Sequence, residues 1–136
     1  IGSTIGAYII FPNNRIDGKQ NINQARGTNS RIDDRFDLTL ECIRRFYLGE
    51  NSPLFKTLLR YKAFFDLFEN FSGYVQFFLL EDLLNENQTI NFYLPFDDFY
   101  TAPMFSGVDQ YLVYKNKTIQ FILSRNKRIE SYLTTL

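Results

Sequence analysis

The stretch FPNNRIDGKQNINQARG, residues 11–27, sets Arg15, Lys19 and Arg26 against a single carboxylate, Asp17, among Asn13, Asn14 and Asn23 and the glycines at 18 and 27. Arginine offers a planar fork of N–H donors that matches carboxylate and phosphate, and lysine adds a point charge on a flexible stem. The side chains of Asn13, Asn14, Arg15, Asp17, Lys19, Asn23 and Arg26 are therefore the candidate contacts of a small anionic ligand, such as a nucleotide or a phosphorylated metabolite. The spacing fits neither the Gly-x-x-x-x-Gly-Lys-[Ser/Thr] cradle nor the Gly-x-Gly-x-x-Gly fingerprint of dinucleotide folds. A structural reading stands beside the ligand reading. Asn, Asp and Gly build turns, Gly18 and Gly27 supply positive φ, and each arginine is then tied to a nearby carboxylate or loop carbonyl.

Asp97 and Asp98 follow a β-branched and aromatic run, where paired carboxylates could hold magnesium or work as acid and base. A cation needs a third oxygen, and Asp17 is the nominee if both loops leave the same sheet edge; a turn or helix-cap role is the plainer account of the pair. Magnesium is the one cofactor these residues suggest, and no reaction is assigned. The chain has no histidine and one cysteine, which excludes an internal disulfide, His-based triads and Cys–His dyads, and removes the commonest transition-metal ligand. Cys42, close to Leu40 and Ile43, reads as a small buried hydrophobe rather than a nucleophile. Asp37, Glu41, Arg44 and Arg45 lie at helix-neighbour spacings and read as surface ion pairs.

The elements that would position these residues follow from periodicity. AYIIFP, residues 7–12, reads as a short strand closed by proline. DDRFDLTLECIRRFYLGE repeats Phe36, Leu40, Ile43 and Tyr47 at helical spacing, with Asp33 or Asp34 as cap and Gly49 as stop. Ser52-Pro53 opens a second helix running to about Phe68, and NFSGYVQFFLLEDLLNEN supplies a third. TINFYLPF, residues 89–96, alternates as a second strand, and DQYLVYKNKTIQFILSRNKRIESYL is a long final helix. The expected fold is α+β, mostly α: about four helices packed with a minimal two-stranded sheet, in the order strand, three helices, strand, long helix. One domain is expected over 1–136, and the start at Ile1 without methionine leads us to expect a further segment upstream.

FPNNRIDGKQNINQARG, followed by DDRFDLTLECIRRFYLGENSPL and FYLPFDDF, resembles a bacterial family, a domain of unknown function whose members carry a similar Phe-Pro, Asn-Arg-Ile-Asp-Gly-Lys and Ala-Arg-Gly block. The similarity covers nearly the whole chain and implies no activity or substrate. Fifteen basic residues balance fifteen acidic ones, which argues against nucleic acid as the partner. No apolar run is long enough to span a bilayer and no signal peptide is visible, so the expectation is a cytoplasmic protein without a membrane partner. The alternative to ligand binding is an interaction module, docking an acidic protein or nucleic acid through the loop and the basic final helix. Lys115, Lys117, Arg125, Lys127 and Arg128 would then form its positive face, with Tyr111, Tyr114 and Tyr132 available for stacking. No feature sets an oligomeric state.

Overall fold

In the computed structural model, which describes residues 8–99 and 107–135, the regular elements are helices: α1 (Ile22–Thr28), α2 (Phe36–Leu48), α3 (Phe55–Arg60), α4 (Lys62–Asp66), α5 (Phe71–Phe77), a 3₁₀ turn at Glu81–Leu83, and α6 (Val108–Thr134). No strand occurs among the described residues, so the expected α+β fold with a two-stranded sheet is corrected to a helical one. The first run does show strand-like alternation, with Ile9 and Phe11 buried and Tyr8 and Ile10 exposed; Ala7 lies outside the described residues. A strand also needs a ladder partner. Here the Tyr8 carbonyl accepts instead from the Arg125 guanidinium. The second run turns back locally, as the Asn85 N–H donates to the Thr89 carbonyl (2.9 Å) and the Asn91 N–H to that of Leu83 (2.7 Å). One antiparallel bridge, Leu84 to Ile90, is all that results.

By contact the chain divides into two compact units, one of Ile10–Tyr74 with Phe96–Met104, the other of Ile1–Ile9, Val75–Pro95 and Phe105–Leu136. In the first, α2 is the central element, and its residues 37 to 43 are all buried. It ends at Gly49, whose φ of 74° lets its N–H reach the Phe46 carbonyl while Glu50 N–H reaches that of Arg45, a Schellman closure that requires a left-handed residue. Helices α1 and α2 both pack on α3. The second expected helix is broken in two at Tyr61, which leaves helical geometry (φ −107°, ψ 25°). Its buried ring carries its hydroxyl to the Asn14 carbonyl, 2.5 Å away. Beside this, Phe46, Phe65 and Tyr74 form tilted ring contacts, and the Tyr47 hydroxyl donates to the Phe65 carbonyl at 2.6 Å.

In the second unit, α6 packs against the 3₁₀ turn. Its inward face carries Phe121, Arg125 and Asn126. Arg125 donates to the carbonyls of Tyr8 and Phe78, and Arg128 forms a fork on Asp82 with a further pair to Glu81. Of the five cations expected on one positive face, Arg125 and Arg128 thus serve the unit's own packing, while Lys115, Lys117 and Lys127 are exposed.

Gly73 sits in the first turn of α5, with its N–H bonded to the Asn70 side chain at 2.7 Å. A Cβ there would lie 2.1 Å from the Phe68 carbonyl oxygen. Alanine for glycine inside a helix ordinarily gains up to about 1 kcal/mol, but a backbone clash of this size reverses the sign. Gly73→Ala is expected to lose roughly 1–3 kcal/mol or more, read as a lower urea midpoint; an unchanged or raised midpoint contradicts the close approach.

Candidate functional site

The loop that drew attention in the sequence is folded by its own backbone. Asp17 (φ 56°) and Gly18 (φ 68°) are the two central residues of a tight turn, closed by Lys19 N–H on the Ile16 carbonyl at 3.1 Å. This is the type I′ geometry that Asp-Gly favours. Arg15 clamps that turn, donating to the carbonyls of Gly18 (2.7 Å) and Lys19 (3.2 Å). Asn13 and Asn14 serve through their carbonyls, which accept from the Asn21 side chain and the Tyr61 hydroxyl. Lys19 and Asn23 are exposed.

The last part of what reads as loop, residues 22–27, belongs to helix α1. Asn21 caps it, its side chain accepting from Gln24 N–H at 2.9 Å while the Gln24 side chain accepts from Asn21 N–H at 3.0 Å. Asn-x-x-Gln is a capping-box signature visible in the sequence. Gly27 is therefore helical rather than a positive-φ residue, and its lack of a side chain serves a close approach: a Cβ there would lie 3.2 Å from Asp34 Oδ2. Asp33 and Asp34, expected as the cap of α2, are instead consecutive left-handed residues (φ 52° and 57°) that turn the chain between α1 and α2. The N-cap is Arg35, without a side-chain cap bond.

Arg26 points inward. Its Nε donates to Thr39 Oγ1 at 2.9 Å, its Nη2 to the Asp34 carbonyl at 2.8 Å, and its guanidinium lies over the Phe36 ring. Thr39 in turn donates to the Arg35 carbonyl at 2.7 Å. One step away, Arg35 grips Asp37 with two bonds of 3.1 and 2.5 Å, and both residues are buried. Glu41, one turn further along α2, accepts from Arg44 (2.8 and 2.9 Å) and from Arg45 (2.6 Å). These are the helix-neighbour pairs the spacing implies, but Glu41 is only 3% exposed, so its pairs are not surface pairs. The bond to Glu41 raises the Arg44 pKa further above its ordinary value, and its charge is permanent.

Arg45 leads to a cavity of about 270 Å³ within this unit, whose wall also includes Arg31, Ser52, Asp98 and Phe99. The guanidinium is pinned on one edge by Glu41 and stacked 4.8 Å from the Phe99 ring centroid. Its Nη1 makes a long 3.5 Å contact to the Asn51 carbonyl. Ser52 Oγ is buried and has no nitrogen or oxygen partner among the described residues; the polar group beside it is the Cys42 thiol. Cys42 is fully buried, and that burial pushes its pKa up to about 12, opposed by smaller pulls from the Ser52 hydroxyl and the Leu54 backbone. The thiol therefore stays protonated at neutral pH.

Of the candidate ligand and metal contacts read from the sequence, Asp98 alone lines this cavity. Asp17 and Asp97 are exposed elsewhere, and no group of three acidic or cysteine side chains converges as a metal site among the described residues. Arg31, Arg45 and Ser52 carry no ligand signature in the sequence, since residues 31, 45 to 53 and 98 to 99 meet only through the fold. A family model matches residues 1–129, described as a family of unknown function (DUF6994). The chain belongs to this family. The DUF6994 match takes in the loop, α2 and the cavity wall alike. No curated protein and no solved structure matches the chain. Among the described residues, no helix is long and apolar enough to cross a membrane.

Two outcomes follow from this geometry. Arg26→Ala strips Thr39 and the Asp34 carbonyl of their donor and is expected to lose roughly 1–3 kcal/mol, whereas Lys19→Ala should stay within about 0.5 kcal/mol of the parent; equal urea midpoints for the two variants contradict the assignment. Cys42 in the native protein should resist a thiol reagent at pH 8 and react promptly once urea unfolds the chain. Rapid native labelling would show that the thiol is open to solvent.

Proposed function

We propose that this chain binds a small anionic molecule, bearing a carboxylate or phosphate, in the cavity walled by Arg31, Arg45 and Ser52. The observation that supports this is an arginine, Arg45, tied to Glu41 on one edge at 2.6 Å but making only a long 3.5 Å contact, to the Asn51 carbonyl, on the other. An anion in the cavity accepts from the open edge of Arg45 in a charge-assisted contact, stronger than the long one to Asn51. Glu41 and Phe99 fix the guanidinium beforehand, so little ordering is needed on binding. Arg31 supplies a second cation in the same wall, which the Asp98 carboxylate also lines. The 13–27 loop is the frame of this unit in this reading, with Arg15 and Arg26 holding backbone rather than ligand.

The test is a thermal-shift series with inorganic phosphate, sugar phosphates, nucleotides and dicarboxylates on the parent, Arg31→Gln and Ser52→Ala. A ligand at 100 times its dissociation constant adds about 2.7 kcal/mol. Expected are a clear rise in the parent with at least one anion and a tenfold or greater loss of affinity in Arg31→Gln. Ser52→Ala removes a hydroxyl that pairs with the Cys42 thiol in the cavity wall and should weaken anion binding more than it lowers the unliganded melting point. Absence of stabilisation by every anion, or stabilisation that neither variant weakens, overturns the proposal.

A further inference from the structure

A second cavity, of about 250 Å³, lies wholly in the other unit and is walled by Asp82, Asn91, Lys117, Gln120 and Ser124. We propose that it is a binding site for a neutral polyhydroxylated ligand the size of one sugar ring. Charge is the first discriminator. Both oxygens of Asp82 accept from Arg128 at 3.0 Å, and Arg128 also pairs with Glu81 at 2.8 Å. Two cations, Arg128 and Lys117, thus balance two carboxylates, and the wall has no net charge to draw an ion. The Arg128 pKa is raised by its bonds to Asp82, so its own charge is permanent.

Hydrogen-bonding capacity is the second discriminator. The side chains of Asn91, Gln120 and Ser124 have no partner among the described residues. Each can donate and accept, which suits adjacent hydroxyls that also do both. Asp82 keeps a lone pair on each oxygen after the fork with Arg128, and a hydroxyl donating to a carboxylate makes one of the stronger neutral-ligand contacts. The rings of Tyr93 and Phe121 also border the cavity but are 3% and 4% exposed. So little ring face is offered that a flat aromatic ligand would remain largely in water. The volume lies below the roughly 300–1,000 Å³ of drug-sized sites and matches a single ring rather than a chain of them.

The experiment is an NMR titration of the full chain with glucose, galactose, mannose and myo-inositol, with inorganic phosphate and citrate as charged controls. At least one neutral probe is expected to shift the side-chain amide signals of Asn91 and Gln120. Asn91→Ala and Gln120→Ala, both at exposed positions that the fold tolerates, should weaken that probe tenfold or more, and Arg31→Gln in the other unit should leave it unchanged. The proposal is overturned if no neutral probe binds, if the two alanine variants bind as the parent does, or if only the charged controls bind and Lys117→Ala abolishes their binding.

Discussion

A buried ion pair at the start of α2 sets the terms for the unit built around it. Arg35 and Asp37 are 4% and 0% exposed and joined by two hydrogen bonds. Taking two charges out of water costs several kcal/mol per ion, which mutual attraction repays only when the geometry is good and the remaining polar capacity is filled. The fork geometry, together with the Leu38 N–H donating to Asp37 Oδ1 at 3.0 Å, meets that condition. Asp33 and Asp34 turn left-handed just before the pair, and Arg35 follows as the N-cap of α2, two residues from its partner. Aspartate tolerates that conformation better than bulky residues do.

The same helix repeats the device. Thr39 and Glu41 are also buried, and each polar group on α2 recruits an arginine: Arg26 to Thr39, Arg44 and Arg45 to Glu41. Arginine suits this work because its charge is permanent and its donors are arranged for two-point contact. The consequence reaches the cavity. Glu41 holds Arg45 by one edge and Phe99 holds it by one face, so the guanidinium stands fixed in the wall instead of sweeping through solvent. Preorganisation of this kind is what distinguishes a wall that can receive an anion from a pair of mobile surface arginines.

Much of this frame is legible in the sequence, and the gaps have physical causes. The repeat of Phe36, Leu40, Ile43 and Tyr47, the stop at Gly49 and the long final helix follow from local spacing, which is why α2 and α6 lie where periodicity puts them. The type I′ turn follows from Asp17-Gly18. Helix α1 was legible too, in Asn21 and Gln24, but the density of polar side chains around it reads as loop. The strands fail for a different reason: alternation reports burial, and Tyr8, Ile9, Ile10 and Phe11 do alternate in burial, but a ladder depends on a partner that local sequence does not specify. The break at Tyr61 and the inward path of Arg26 depend on contacts 47 and 13 residues away. The cavity, drawn from three separated segments, leaves no local signature at all.

Arg35 and Asp37 act as one unit, each lowering the cost of burying the other. A double-mutant cycle read by urea unfolding measures this directly, using Arg35→Met, Asp37→Leu and the combined variant. Each single change takes the fork partner from a buried charge and is expected to lose roughly 3–5 kcal/mol, while the double variant, with neither charge left behind, should lose far less than the sum. A double variant whose loss equals the sum of the singles would contradict the account, because the two residues would then contribute independently.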